Sequence, residues 1–385
     1  MSFLYSEEYD AYRIHVAKWV DQVVKPVVAN ISLERPFETK QEEDDFFQSI
    51  DTAGFTSSVP RMEDGSFDYV AFYILTEEVA RASGAISLSL THRIHVAEDI
   101  SIMMSTEQKE YFSEYLKDAI GGISGGITEP SGGSNISGIQ TTAEKKGGKW
   151  LINGRKIWIS CANLASIMFV VCRTKEEGRP DGHGIFLIER KYGWEASPIP
   201  MMGLNRHPLC DVVFENVEVP EIAKLEPESA LGWTKWMFLG GRAMLAAISV
   251  GLAQEAYNRA LAYADIRVLA GKKIASFQLI QELLADMATD LACGRCLLYK
   301  AADTLMKKQG DAVIETSMAK MFCTEMAVRV TSNAIQIHGA MGLAVETEVE
   351  RMFRDARMLT IPDGPTQLQK LLIGRELTGV SALKG

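Results

Sequence analysis

The chain has 385 residues, 47% apolar, with 40 basic and 50 acidic side chains and a net charge of −10. That length exceeds one ordinary core and predicts two or three domains. The acidic balance excludes a nucleic-acid role, which needs a basic surface. Apolar residues never run unbroken for the eighteen or so positions of a membrane span. The acidic N-terminus MSFLYSEEYD lacks the pattern of a secretory signal, so a cytoplasmic protein with reduced cysteines is expected. Cys293-x-x-Cys296 lies in an apolar helical pattern and reads as small residues packed in a helix, not as a metal or redox pair.

Residues 1–120 read as helical. Tyr9–Val28 is amphipathic, Glu42–Thr52 leads to Gly54, and Tyr69–Ser83 repeats apolar residues at three and four spacing. Ala85–Met104 continues this, and Thr106–Lys117 opens with Thr106 as a candidate N-cap. Between residues 121 and 228 glycine is frequent, and short β-branched runs alternate with turn signals, which predicts an antiparallel sheet or barrel. Asn153-Gly154 has the form of a two-residue hairpin turn. From 229 to 385 long helical patterns return, over Thr234–Asp265, Ala275–Gln309, Ile314–His338 and Thr366–Leu377, as in an antiparallel bundle. The expected fold class is therefore α+β: an all-α domain (1–120), a middle β domain (121–228) and a C-terminal four-helix bundle (229–385).

The segment Met358–Arg375, MLTIPDGPTQLQKLLIGR, organises the reading. Pro362 and Pro365, flanking Asp363-Gly364, cannot continue a helix and make a stiff corner. Thr366 is a candidate N-cap, with Gln369 completing a capping box. A carboxylate on such a corner is well placed to meet a ligand, although the corner taken by itself reads Asp363 first as a plain turn residue.

The α–β–α order and several phrases resemble the acyl-CoA dehydrogenase family of flavoproteins over essentially the whole chain. The phrases are ITEPSGGS (127–134), KIWIS (156–160), Arg242 within GGRAMLAAISVGLAQ, FQLIQ (277–281), IQIHGA (335–340) and MLTI (358–361). Independently, the glycine-rich Gly125–Ser134 offers backbone N–H groups and hydroxyls suited to a partly anionic ligand. The resemblance implies FAD as cofactor. Ile127, Thr128 and Ser134 would lie along the flavin, with Ser134 also beside the pantetheine arm of the substrate. Trp158 would lie against the ring, with Ile159 beside it and the Ser160 hydroxyl near its N5 edge. Arg267 and Gln278 would reach the FAD of a neighbouring subunit, with Gln336, Gly339 and Ala340 in the same shared pocket. Pro365 and Gln367 complete the implied cofactor set. A cofactor shared in this way implies a homo-oligomer, a dimer or a tetramer built as a dimer of dimers.

Family members remove the proton α to a thioester carbonyl while the flavin takes hydride from the β carbon. Their commonest base is a glutamate in a Tyr-Glu-Gly-Thr turn, and the matching corner here is Pro362-Asp363-Gly364-Pro365. The carboxylate is kept but one methylene shorter; a loss of reach of about 1 Å can cost on the order of 10²-fold. The helix positions that carry the base in other members are Gly240 and Gly241. Asp363 is thus the expected catalytic base, with Arg242 and Gly364 beside the substrate. Ser87 and Thr91, in a polar cluster with His92 and Arg93, are expected to line a short or polar acyl pocket, or else to form a surface turn. Leu239, Ala270 and Lys273 replace residues tied to coenzyme A binding, so a carrier-protein-tethered thioester is an alternative to the coenzyme A ester. The expected activity is FAD-dependent acyl-thioester dehydrogenation with an electron-accepting flavoprotein. The rivals are a flavin oxidase and a non-catalytic flavin- or thioester-binding protein.

Overall fold

The structure is a computed structural model and describes residues 6–117, 122–308 and 310–382. The expected boundary at 120/121 and the expected helix end at Gln309 lie outside the described residues. Helices occupy Glu7–Trp19, continuing through Val20–Val24 to Val28, then Lys40–Ile50, Tyr69–Ala82 and Gly84–Met103. Thr39, Asp68 and Ser83 cap the last three by accepting a backbone N–H three residues on. The next pattern is split into Thr106–Tyr111 and Ser113–Lys117. Its cap is Ser105, one residue before the Thr106 expected, because Ser105 forms a complete capping box with Gln108.

Eight strands form one sheet, in which the parallel pairs Ile123–Gly126 with Ile167–Val170 and Thr142–Glu144 with Arg173–Lys175 join antiparallel neighbours. Asn153-Gly154 is not a hairpin: Lys149–Ser160 is a single strand. The turn lies earlier, at Gly147-Gly148, where both residues have positive φ (55° and 78°), as a tight hairpin of this hand demands. Gly154 instead sits at a register break, pressed on Thr141, whose Oγ1 would be 2.5 Å from an added Cβ.

The C-terminal part consists of helices Ala230–Ile266, Gln278–Lys307, Ala312–His338, Val349–Leu359 and Thr366–Thr378. Val349–Leu359 was not anticipated. Its sequence is rich in charge, yet Val349, Met352, Ala356 and Leu359 recur at helical spacing and are buried. Ala230–Ile266 is long and apolar enough to cross a membrane by composition, but 83% of its most apolar window is buried inside the protein. Cys293 and Cys296 are exposed rather than packed, because their helix buries the opposite face through Met287, Leu291 and Leu298.

The first helices and the C-terminal helices share one apolar core, from Val16 and Phe72 through Ile248 to Leu359. Inside it the fully buried Glu77 takes Arg13 at 3.1 Å, Arg295 at 2.8 Å and the Tyr299 hydroxyl at 2.7 Å. The sheet core is separate on one face, around Trp150 and Phe186. Its other face meets Trp233 and Met237 at the start of the long helix.

Candidate active site

The corner joins Val349–Leu359 to Thr366–Thr378 and has left-handed backbone at Asp363 (φ 52°) and Gly364 (φ 95°). A non-glycine residue is held in that conformation only where its surroundings over-determine it, and here side chains seize the corner's carbonyls. Lys320 Nζ, buried, donates to Thr360 O and Gly364 O, both at 2.8 Å. Gln369 Nε2 donates to Asp363 O at 2.9 Å and Gly364 O at 2.8 Å, and Arg242 Nε to Asp363 O at 3.4 Å. The expected capping box is absent. Pro365 occupies the cap position, Gln369 serves the corner, and the Thr366 hydroxyl donates to Glu325 at 2.6 Å.

The Asp363 carboxylate is half-buried and faces the long helix rather than open solvent. An added Cβ on Gly241 would lie 2.4 Å from its Oδ2, so the glycine makes the room it occupies. Burial raises the proton affinity of Asp363 above the ordinary aspartate value, against the opposing pull of Arg242 and Lys320. Burial in turn pushes Lys320 down to about 8, Asp363 resisting. A carboxyl with raised affinity in a partly dry site, braced by two cations, is the form expected of a proton-transfer group.

Gly240, the neighbouring position, is filled from the other side: its added Cβ would lie 2.1 Å from His95 Nε2. Neither glycine could carry an acidic side chain without displacing what now covers it. His95, Asp99, Lys320 and the corner role of Gln369 were not found from sequence. Only spatial proximity marks them, since Lys320 is 40 and 44 residues from the two carbonyls it holds.

The sheet presents the second part of the site. Between Lys156 and Ile159 the register with the Leu209–Pro220 strand breaks, and Trp158 sits in this bulge at φ 62°. The bulge turns its indole outward, 51% exposed, so Trp158 is not core, while Ile159 points inward and is buried. Lys156, fully buried, anchors the adjacent glycine-rich segment: its Nζ meets Ile127 O at 3.1 Å, Glu129 Oε1 at 2.8 Å and Val171 O at 2.7 Å. Ile157 N donates to Thr128 O at 2.9 Å, and Ser124 Oγ to Ser160 O at 2.6 Å. Ile127, Thr128, Trp158, Ile159 and Ser160 are thereby brought together, with Ser134 exposed farther along the same segment.

Arg267 and Gln278 are exposed on either side of a short hairpin, amid the exposed Ile266, Val268, Leu269 and Leu279. Gln336, Gly339 and Ala340 are exposed at the end of the Ala312–His338 helix. His338 there packs on Tyr263 at 4.4 Å, with Nδ1 2.7 Å from Ala334 O. A cavity of about 200 Å³ lies beside the corner, lined in part by Pro365 and Gln367.

The polar cluster on Gly84–Met103 is not a surface turn. Ser87 and Thr91 are buried and donate to Thr76 O (2.8 Å) and Ser87 O (2.7 Å). Arg93 is buried against Glu43 and lies over the Phe47 ring. The two hydroxyl hydrogens are thus committed to the backbone, leaving only oxygen lone pairs for a ligand.

The N-terminal, middle and C-terminal domains of the acyl-CoA dehydrogenase family match residues 6–120, 124–217 and 231–378. The chain belongs to that family, whose members are FAD-dependent oxidoreductases acting on CH–CH donors. It is 35% identical to the caffeyl-CoA reductase-Etf complex subunit CarC of Acetobacterium woodii, over 83% of this chain and 85% of that protein. It is 30% identical to the 3-(aryl)acrylate reductase of Clostridium sporogenes, over 97% and 99%. The butyryl-CoA dehydrogenase structure from Megasphaera elsdenii superposes with a TM-score of 0.86 at 26% identity, covering 97% and 98% of the two chains. The bulge fits the cofactor: Trp158 offers a large apolar face, unclaimed by the core, beside the anchored glycine-rich segment.

Proposed function

We propose that the protein is a dehydrogenase of short acyl-coenzyme A esters, with Asp363 as the base that removes the α proton. The observation that carries this reading is the Asp363 carboxylate lodged over Gly241, braced through its own corner by Lys320, Gln369 and Arg242. FAD, when bound, would supply the acceptor for the hydride of the β carbon. Asp363 takes the α proton onto a carboxylate oxygen, and the electron pair of that C–H bond becomes the new double bond. Arg242 and Lys320 supply positive charge beside the site and counter the rise in Asp363 proton affinity that burial imposes. The shorter reach of aspartate is offset by bringing the corner against a helix that has no side chain at Gly241.

Ile127, Thr128, Trp158, Ile159, Ser160, Pro365 and Gln367 would hold the cofactor within one protomer, and Ser134, Arg242 and Gly364 the substrate. Arg267, Gln278, Gln336, Gly339 and Ala340 would complete a neighbour's cofactor site in a dimer or tetramer. The exposed apolar side chains around Arg267 support this assembly. The relative CarC is named as part of an Etf complex, which supports an electron-transfer flavoprotein as partner here. Two relatives are named reductases, and a carboxyl of raised proton affinity also suits the reverse direction, in which Asp363 would return a proton to the α carbon.

Mixing the purified FAD-loaded protein with butanoyl-CoA and its longer homologues should bleach the flavin. Asp363→Asn should keep FAD and bind the same thioesters while slowing bleaching by several orders of magnitude. Near-normal bleaching in that variant removes Asp363 from the mechanism, and no bleaching of the native flavin favours a non-catalytic binding protein. Reoxidation by a flavoprotein rather than by oxygen separates a dehydrogenase from an oxidase. Comparing pantetheine-tethered carrier protein with coenzyme A ester identifies the carrier.

A further inference from the structure

One buried pair of titratable groups beside the site has no part in the proton transfer. His95 Nδ1 lies 3.0 Å from Asp99 Oδ2, both side chains are buried, and Phe72 stacks on the imidazole with a centroid separation of 6.3 Å. The ring is therefore packed on its face, with one nitrogen against the Asp99 carboxyl. Its other nitrogen, Nε2, makes no hydrogen bond among the described residues and is aimed at the α-carbon of Gly240. The Asp363 carboxylate is aimed in the same manner at Gly241. Successive α-carbons are 3.80 Å apart, so Nε2 and the proposed base lie within about 11 Å of each other. That limit leaves His95 within reach of a short acyl chain whose α carbon lies at Asp363.

Burial lowers His95 to about 4 and raises Asp99 well above its ordinary value, with Glu98 adding to the rise. The imidazole is then uncharged at neutral pH, and the tautomer that carries its hydrogen on Nε2 offers a donor at the nitrogen that no protein group takes among the described residues. An uncharged donor in an apolar setting favours an uncharged oxygen over a carboxylate, which would be buried there without a counter-charge.

Resting on the dehydrogenase reading, we infer that His95, held by Asp99, is a specificity-determining residue that hydrogen-bonds an uncharged oxygen, a hydroxyl or ketone, near the far end of a short acyl chain. The test compares pentanoyl-CoA, 5-hydroxypentanoyl-CoA and glutaryl-CoA, which differ at the chain terminus, by the rate of flavin bleaching in the holoenzyme. The hydroxylated ester should have a kcat/KM about tenfold or more above pentanoyl-CoA, with glutaryl-CoA the poorest of the three. His95→Leu should bring the hydroxyl preference to about one while changing pentanoyl-CoA turnover far less, and His95→Gln should retain part of it. A merely structural histidine would lower all three rates together. No hydroxyl preference in the native enzyme, a preference for glutaryl-CoA, or a preference unchanged in His95→Leu overturns the inference even where a variant folds poorly. Bleaching by all three alike sinks the His95 assignment alone; bleaching by none sinks the dehydrogenase reading with it.

Discussion

The Asp363 carboxylate rests on the α-carbon of Gly241, 122 residues earlier in the chain. Its Oδ2 stands 2.4 Å from where a Cβ would begin. The base and the absent side chain are one device. Gly241→Ala should therefore displace the carboxylate and slow flavin reduction by about 10²-fold. Alanine favours a helix interior over glycine by roughly 1 kcal/mol, so the melting temperature should not fall in parallel. Rapid-mixing absorbance with FAD-loaded protein, alongside a thermal melt, checks both halves.

Lys320 grips two carbonyls of the corner and faces Asp363 with a positive charge. Lys320→Met should slow flavin reduction and also move the acid limb of the kcat/KM profile to higher pH. The sign follows from the charge: a cation favours the ionised carboxylate, so removing it leaves the proton more tightly held. A limb that stays in place would reduce Lys320 to a purely mechanical support.

Trp158 sits in a strand bulge with half its surface exposed. Trp158→Ala should leave the stability of the apoprotein within about 0.5 kcal/mol, as for other substitutions outside the core. Retention of FAD through gel filtration should fall. Unchanged retention would mean that the cofactor does not use the indole.

Glu77 is buried among Arg13, Arg295 and Tyr299. Burial works to raise its pKa, but Arg295 and Arg13 prevail and hold it at about 2, below the ordinary 4.5. A depressed carboxylate contributes stability that is complete above the unfolded value and is lost as pH falls through the folded one. Glu77→Gln should cost about 3–5 kcal/mol at pH 7, because Arg295 loses its carboxylate partner and Arg13 is left with Glu78 alone. The difference between native and variant should shrink between pH 4.5 and 2 in denaturant titrations.

The sequence alone determined the order of helices, sheet and helices, because apolar spacing and turn residues are local signals that survive without tertiary context. It also determined the corner, since two prolines around Asp-Gly admit little else, and the family, through phrases kept in order along the whole chain. Only the tertiary structure decided what those residues touch. Asn153-Gly154 has hairpin chemistry, yet the neighbouring Gly147-Gly148 makes the turn, because strand pairing across the sheet fixes the register. Trp158 gave no sign that a bulge would turn it outward, and Ser87 and Thr91 gave none that backbone carbonyls would take their hydrogens. Above all, Gly240 and Gly241 read as an empty place where a base had been lost. In the fold they are the space filled by His95 and Asp363, because packing brings together groups whose separation in the chain carries no signal.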